Sequence, residues 1–450
     1  MPTPSVYPQS VRAVSPALSP PVPLAPPPGP PSDPPPGHPI SPPGEPFQGP
    51  PKAPLGIYAK SRPETLQDVG LFDPDTGEVL SPETKQAIDP VSVRLGRYVL
   101  QSQARRILGR DHRLFHCLHT RQRDRPSVDV LHAASSDSCY YSGLQTCASV
   151  WACPVCAARI SERRREELRQ AVNLWKAQGG SVLLLTLTNA HTRADALTSL
   201  LEGQQAALHR FFATRAGITA MSSLGRVGHV RAWEVTTGRL RANSNGWHPH
   251  FHILLFLRSS PSDPLPVWED QLFGVWLRAC ELAGLPLPNR AHGVSLQDGS
   301  QASAYIAKLG LEEDRVSASS WSIEHEMTKG HTKRARNGET PFDLIRACLA
   351  GDDPQAARLF REFASAFKGK RQLVYSRGLR DLLGLDALLT DDELAARPDD
   401  DAYLLASITP EQWRAVKRAD LRGELLEVAR SGGPDAVAVF LLSLMSKPQC

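Results

Sequence analysis

Trp247-His248-Pro249-His250-Phe251-His252-Ile253-Leu254-Leu255 is the stretch from which the rest of the chain is read. Its apolar and β-branched content predicts a strand over Trp247–Leu257. Alternate residues of a strand face the same way. His250 and His252 therefore point together, from a strand whose other positions are apolar. Two imidazoles so placed can share a metal ion. The plainer alternative is a histidine-rich surface strand that holds nothing. An unpaired buried imidazole is costly, which favours the metal.

Working outward, Val227–Thr236 reads as a second strand. The linker between them, GRLRANSNG, carries an Asn-Gly and flanking glycines, the composition of a hairpin connection. Centring that turn on residue 242 puts Glu234 opposite His250, and opposed residues of an antiparallel pair share a face. Glu234, His250 and His252 then converge. Two imidazoles and a carboxylate suit Mn²⁺ or Mg²⁺ in use, although affinity alone favours Zn²⁺. The competing expectation pairs Glu234 with Arg231.

Further out, Ala157–Lys176 reads as a helix ended by Gly179-Gly180, and Ser181–Thr188 as an apolar strand. Helices are expected around Asp195–Phe212, Pro266–Ala283 and Ser300–Leu311. The last contains Tyr305-Ile306-Ala307-Lys308. Residues three apart on a helix are neighbours, so Tyr305 and Lys308 share a face. A tyrosine hydroxyl, with a pKa of about 10, is a poor nucleophile at neutral pH. A metal polarising the electrophile and a nearby cation make its attack on phosphorus feasible. A packed tyrosine ring beside a solvated lysine is the alternative.

The order is then an apolar strand with Thr186 and Thr188, a His-hydrophobe-His, and a Tyr-x-x-Lys. This combination resembles the HUH endonucleases, specifically the plasmid rolling-circle replication initiators. Cys147-Ala148-Ser149-Val150-Trp151-Ala152-Cys153-Pro154-Val155-Cys156, Gly246–His250, Glu326–Lys329 and Ser376–Arg380 also look like blocks of that family. The resemblance covers roughly residues 95–385. It implies an α+β fold: an antiparallel sheet with the histidine strand central, helices packed on one face, a zinc-bearing segment before it and a small helical region after it. It implies that Tyr305 attacks a phosphodiester and becomes linked to the 5′ phosphate, freeing a 3′-OH primer. His250 and His252 would bind the catalytic metal, and Lys308 would position the phosphate. Thr186 and Thr188 would lie beside the histidine pair. Some relatives carry a glutamate four residues before the nucleophile as a base for water; here that residue is Gln301. Either another carboxylate serves, with Glu312 and Glu313 nearby, or termination uses a second transesterification.

The cysteines form a second group. Cys153 and Cys156 make a CxxC, with Cys147 six residues earlier. A closed tetrahedral zinc site needs a fourth thiolate or imidazole. Cys117, Cys139, His116 and His119 qualify, and resemblance to the family's upstream cysteine points to Cys117. Buried inert thiols, or a redox pair in Trp151–Cys156, are the alternatives. Ala152 separates Trp151 from the first cysteine, which departs from redox motifs. Cys280, Cys348 and Cys450 have no partners by spacing.

Composition frames these sites. The chain has 450 residues, 22% charged and 41% hydrophobic, which excludes a wholly disordered protein. A net charge of +4 is compatible with nucleic acid. Of the 40 prolines, more than half precede residue 55, so residues 1–55 are expected to be a disordered Pro-rich tail. Residues 56–94 form a polar entry segment, 95–180 the Cys-rich zinc segment and helix, 181–385 the catalytic domain, and 386–450 an acidic linker with C-terminal helices, one with Thr409 as cap, Pro410 in its first turn and Gln412 three on from the cap, and an apolar one over Ala436–Met445. MPTPSVYPQS has no basic region followed by an apolar stretch, and no apolar run approaches the roughly 18–20 residues of a membrane span. A cytoplasmic protein with no membrane partner is expected. Two basic segments with few acids nearby are expected to touch the DNA backbone: Lys329, Lys333, Arg334 and Arg336, then Lys370, Arg371, Arg377 and Arg380. The expected partners are plasmid origin DNA, single-stranded or hairpin at the nick, and a host helicase and polymerase. A conjugative relaxase, a single-tyrosine transposase or a non-catalytic zinc-containing DNA-binding regulator are the competing functions.

Overall fold

The computed structural model describes residues 90–240, 244–298 and 338–446. The Pro-rich tail, most of the entry segment, the expected helix Ser300–Leu311 with Gln301, Tyr305 and Lys308, the pair Glu312 and Glu313, and the basic run Lys329–Arg336 lie outside them. Along the chain the strands are β1 (Val128–Ala133), β2 (Ser138–Ser142), β3 (Ser181–Leu187), β4 (Arg226–Thr237), β5 (Trp247–Leu257), β6 (Val294–Asp298), β7 (Leu373–Tyr375) and β8 (Ala402–Ile408). The helices are α1 (Pro90–Leu108), α2 (Pro154–Ala177), α3 (Leu197–Ala213), α4 (Arg215–Ser223), α5 (Leu265–Leu282), α6 (Pro341–Gly351), α7 (Pro354–Ala366), α8 (Leu379–Leu382), α9 (Asp391–Ala396), α10 (Pro410–Ala419) and α11 (Arg422–Met445). The fold is α+β, as the resemblance implied.

Five strands form one antiparallel sheet in the order β6-β3-β5-β4-β7, so the histidine strand is central. The β4–β5 register is the one the turn position gives, with Glu234 opposite His250 and Ala232 opposite His252. Period-two alternation then sorts the side chains. Trp233, Phe251, Ile253, Leu255, Leu183, Leu185 and Leu187 join the larger core with Phe211 of α3, Trp276 of α5 and Phe363 of α7. The other face divides in two. Val182, Leu184, Val230, Leu254 and Phe256 pack against Leu168, Val172 and Trp175 of α2. Beyond them the same face turns polar, with Thr186, Glu234, His248, His250 and His252. Helices therefore lie on both faces, not on one as expected, because the run on β5 from Ile253 to Leu257 is apolar at every position and must be covered twice.

A second sheet, in the order β2-β1-β8, joins the cysteine segment to the C-terminal region. The strand β8 was not anticipated there. The acidic stretch before it is not a bare linker either. Asp391–Ala396 is a helix opened by a Thr390/Glu393 capping box. Asp391 pairs with Arg164 at 3.2 Å and Asp399 with Arg163 at 2.7 Å, so this stretch is fastened to the basic side of α2. The capping box expected at Thr409 and Gln412 opens α10. The last helix, α11, is among the described residues the one long and apolar enough by composition to cross a bilayer. It is broken at Gly433 (φ 66°, ψ −161°) just before Pro434, and its start is anchored by Arg422, whose side chain is fully buried.

Candidate metal centres and their surroundings

Glu234, His250 and His252 converge on the polar half of the β5 face. The Nε2 atoms of the two imidazoles are 3.1 Å apart, and Glu234 Oε2 lies 2.8 Å from His252 Nε2 and 3.4 Å from His250 Nε2. The outward nitrogens are held from behind. Thr186 Oγ1 is 3.1 Å from His252 Nδ1, and the His248 carbonyl is 3.4 Å from His250 Nδ1. With a proton on each Nδ1, both Nε2 lone pairs and a carboxylate oxygen point at one spot, the arrangement by which metal-bound histidines are oriented. Uncompensated, two imidazoles and a carboxylate brought this close would be costly to bury, and a divalent cation at that spot fits all three. The group could bind metal.

The competing partner for Glu234 lies elsewhere. Arg231 is three residues earlier on β4 and points to the opposite face, its guanidinium 5.8 Å from the Trp233 ring and 5.7 Å from Phe251. Thr186 stands opposite His252, as the resemblance implied. Thr188 falls just past β3 and donates instead to the His292 carbonyl. Sequence reasoning missed His191 and the role of His248. Their Nε2 and Nδ1 atoms are 2.7 Å apart, and burial pushes the His248 imidazole down to about 3. His248 was visible in the motif; its partner, 57 residues away, was not.

The cysteine cluster is resolved to four thiols. Cys117, Cys147, Cys153 and Cys156 are all buried, and none is in a disulfide. The sulfurs of Cys117 and Cys153 are 3.8 Å apart, those of Cys117 and Cys156 3.5 Å, and those of Cys147 and Cys156 3.8 Å. A tetrahedron of Zn–S bonds of about 2.3 Å has edges of about 3.8 Å, so the spacing fits a structural zinc. Cys139 lies apart on β2, where burial pushes its thiol up to about 12. His116 instead has Nδ1 3.2 Å from Thr120 Oγ1. Cys153 occupies the N-cap of α2, and Cys156 sits in its first turn. Burial opposes charge on Cys153, but the neighbouring thiols that donate to it hold it well below the ordinary thiol range. A helix N-terminus favours thiolates in the same way. Behind the sulfurs, Gln101 Nε2 reaches Cys117 Sγ at 3.4 Å and Cys153 Sγ at 3.2 Å. Its Oε1 accepts from Arg422 Nη1 at 2.6 Å. A cation on α11 is thus relayed toward the thiols through an amide on α1.

Of the basic residues named from sequence, Arg371 and Arg377 are exposed and Lys370 is half-buried. Arg380 is committed inside the molecule, with Nη1 2.8 Å from Glu167 on α2. Tyr375, the other tyrosine near this segment, stands opposite Val230, about 13 Å along the sheet from His250. Burial, with Glu167 beside it, pushes its hydroxyl well above the ordinary phenol range.

The fold and sites thus define an α+β domain with two separate metal-ligand groups, one of them on a central antiparallel strand. Residues 142–263 match the family described as replication protein. That stretch holds Cys147, Cys153, Cys156, Glu234, His250 and His252. The chain is also similar to Protein rep of Streptomyces lividans, 29% identical over 368 residues, covering 66% of this chain and 78% of that one. It is 29% identical over 237 residues to a protein of Streptomyces cyanogenus named Neomycin resistance protein, covering 42% of this chain and 52% of the other. No solved structure matches. These likenesses support the reading of the chain as a plasmid replication initiator of the Rep type.

Proposed function

We propose that the chain starts rolling-circle replication of a plasmid by nicking one strand at the double-strand origin, and rejoins strands at termination. The convergence of His250 Nε2, His252 Nε2 and Glu234 Oε2 carries this reading. In it, the Tyr305 hydroxyl attacks phosphorus, the bond from phosphorus to the 3′ oxygen breaks, and the 5′ phosphate stays on Tyr305. The departing 3′ oxygen takes up a proton and becomes the primer for a host polymerase, with a host helicase opening the duplex. Mn²⁺ or Mg²⁺ held by Glu234, His250 and His252 would polarise the scissile phosphate. Lys308 positions that phosphate. Lys329, Lys333, Arg334, Arg336, Lys370, Arg371 and Arg377 meet the DNA backbone, with Arg380 bracing that last segment from within. The thiols of Cys117, Cys147, Cys153 and Cys156 hold a structural zinc. The work is done in the cytoplasm. With Gln301 unable to take a proton, rejoining proceeds by a second transesterification or through another carboxylate.

The test is incubation of the purified protein with Mn²⁺ and labelled single-stranded origin DNA, followed by denaturing electrophoresis. A metal-dependent covalent band, absent from Tyr305→Phe while origin binding persists, is the expected result. Binding without any adduct at every metal tried would instead make the chain a zinc-containing DNA-binding regulator.

A further inference from the structure

Two arginines and a histidine on β4 lie on the sheet face opposite the Glu-His-His group. Arg226, His229 and Arg231 stand opposite Leu257, Leu255 and Ile253 of β5. Arg226 Nη1 donates to His229 Nδ1 at 2.9 Å, which leaves His229 Nε2 as a second donor. His229 and Arg231 are two residues apart on one strand face, about 7 Å. The Phe212 ring stacks on His229 at 4.2 Å and 5°, and Arg226 lies 5.1 Å from the same ring.

Among the described residues neither guanidinium has a carboxylate partner. Arg226 Nε and Arg231 Nη1 are buried with no hydrogen-bond acceptor. Other arginines with buried side chains do have a carboxylate partner, although Arg164 Nη1 and Arg422 Nε also lack an acceptor. Arg239 has Glu339 and Asp353, Arg164 has Asp391, and Arg422 has Gln101 and Asp420. Stacking on aromatic rings offsets only part of the cost of a buried, unpaired cation. Burial pushes Arg231 down to about 10; burial, with Arg226 and Arg231 beside it, pushes His229 down to about 3. All three residues retain partial solvent exposure.

We propose that Arg226, His229 and Arg231 form a phosphate-binding site, whose ligand is a backbone phosphodiester of DNA away from the nick or free inorganic phosphate. Guanidinium forks match phosphate oxygens, and the Phe212/His229 stack sets the wall of the site. The anion site stands without the nicking reading; its DNA source rests on it.

The test uses the full chain and the pair Arg226→Gln with Arg231→Met, the methionine keeping apolar contact with Trp233 and Phe251. Arg290→Gln, an exposed arginine paired with Asp270, is the control. Inorganic phosphate, against chloride at matched ionic strength, is expected to raise the wild-type and control melting temperature by roughly 2–4 °C and to leave the double variant unmoved. Labelled origin DNA is expected to bind the double variant about tenfold more weakly, with a salt slope smaller by about 1. Loss of the phosphate response with DNA binding intact assigns the site to free phosphate; loss of the DNA slope assigns it to the backbone. Folded variants with both responses unchanged overturn the proposal. Should the double variant fail to fold, Arg226→Gln alone carries the same two measurements. The covalent adduct, measured in parallel, reports on the nicking reading separately.

Discussion

Thr186 shows how one hydroxyl can govern a site it does not enter. Its contact with His252 Nδ1 selects which nitrogen of that ring faces Glu234. Thr186→Val keeps the shape of the side chain and removes only that contact. It is expected to weaken Mn²⁺ binding 10–100-fold, read from the free-ion signal in electron paramagnetic resonance, with the melting temperature almost unchanged. Unchanged affinity would mean that the strand alone orients the ring. Glu234, His250 and His252 were legible in the sequence because strand alternation and a turn position are local facts. Gln101 and Arg422 were not, since the hydrogen bond joining them spans 321 residues. Arg422→Met leaves Gln101 Oε1 without its donor and is expected to cost about 2 kcal/mol in urea unfolding. A loss below about 1 kcal/mol would show that α11 is held by its apolar contacts.

The elements around the histidine strand, α2, β3, α3, β4, β5 and α5, were readable from their periodicity and end signals, whereas α1, β1, β2, α4, β6, α6, α7, β7, α8, α9 and β8 were not, the short strands among them depending on distant partners. The start of α2 was expected at Ala157 but lies at Pro154. Proline is well suited to the first position of a helix, and the cysteine before it takes the cap position. Substituting that cap, Cys153→Ser, is expected to remove one equivalent of zinc by elemental analysis and to lower the melting temperature markedly, because folding and metal binding are coupled. Zinc retained at one equivalent would mean the four thiols pack without it. The strand β8 carries no strong alternation, with burial only at its last residue, Ile408, and it exists because β1 offers it a partner. Its neighbour α10 was readable from its cap alone. Thr409→Ala is expected to cost about 1 kcal/mol, measured by chemical denaturation.

Across the whole molecule, acid is expected to act through histidines buried in neutral form. Burial, with cations beside each, pushes His119 down to about 2 and His229 down to about 3. Both folded values lie below the unfolded one near 6.5. As pH falls the unfolded chain takes up protons first, so the contribution is complete above about pH 6.5 and declines below it. By pH 5 each histidine is expected to cost about 2 kcal/mol. Chemical denaturation at pH 7 and pH 5 checks this, and His119→Gln should flatten the slope; equal stability at the two pH values would show that water reaches both rings.

The pairing of β1 with β8 also sets a clock on biosynthesis. Ser407 bonds to Asp129 across 278 residues. At about 5–20 residues per second, a ribosome needs roughly 14–56 s to supply that partner after β1 has been made. Throughout that interval the nascent thiols lack the arginine behind Gln101, and one edge of β1 stays bare. Messages truncated before codon 400 therefore yield chains that chaperones and proteases meet with an open sheet edge.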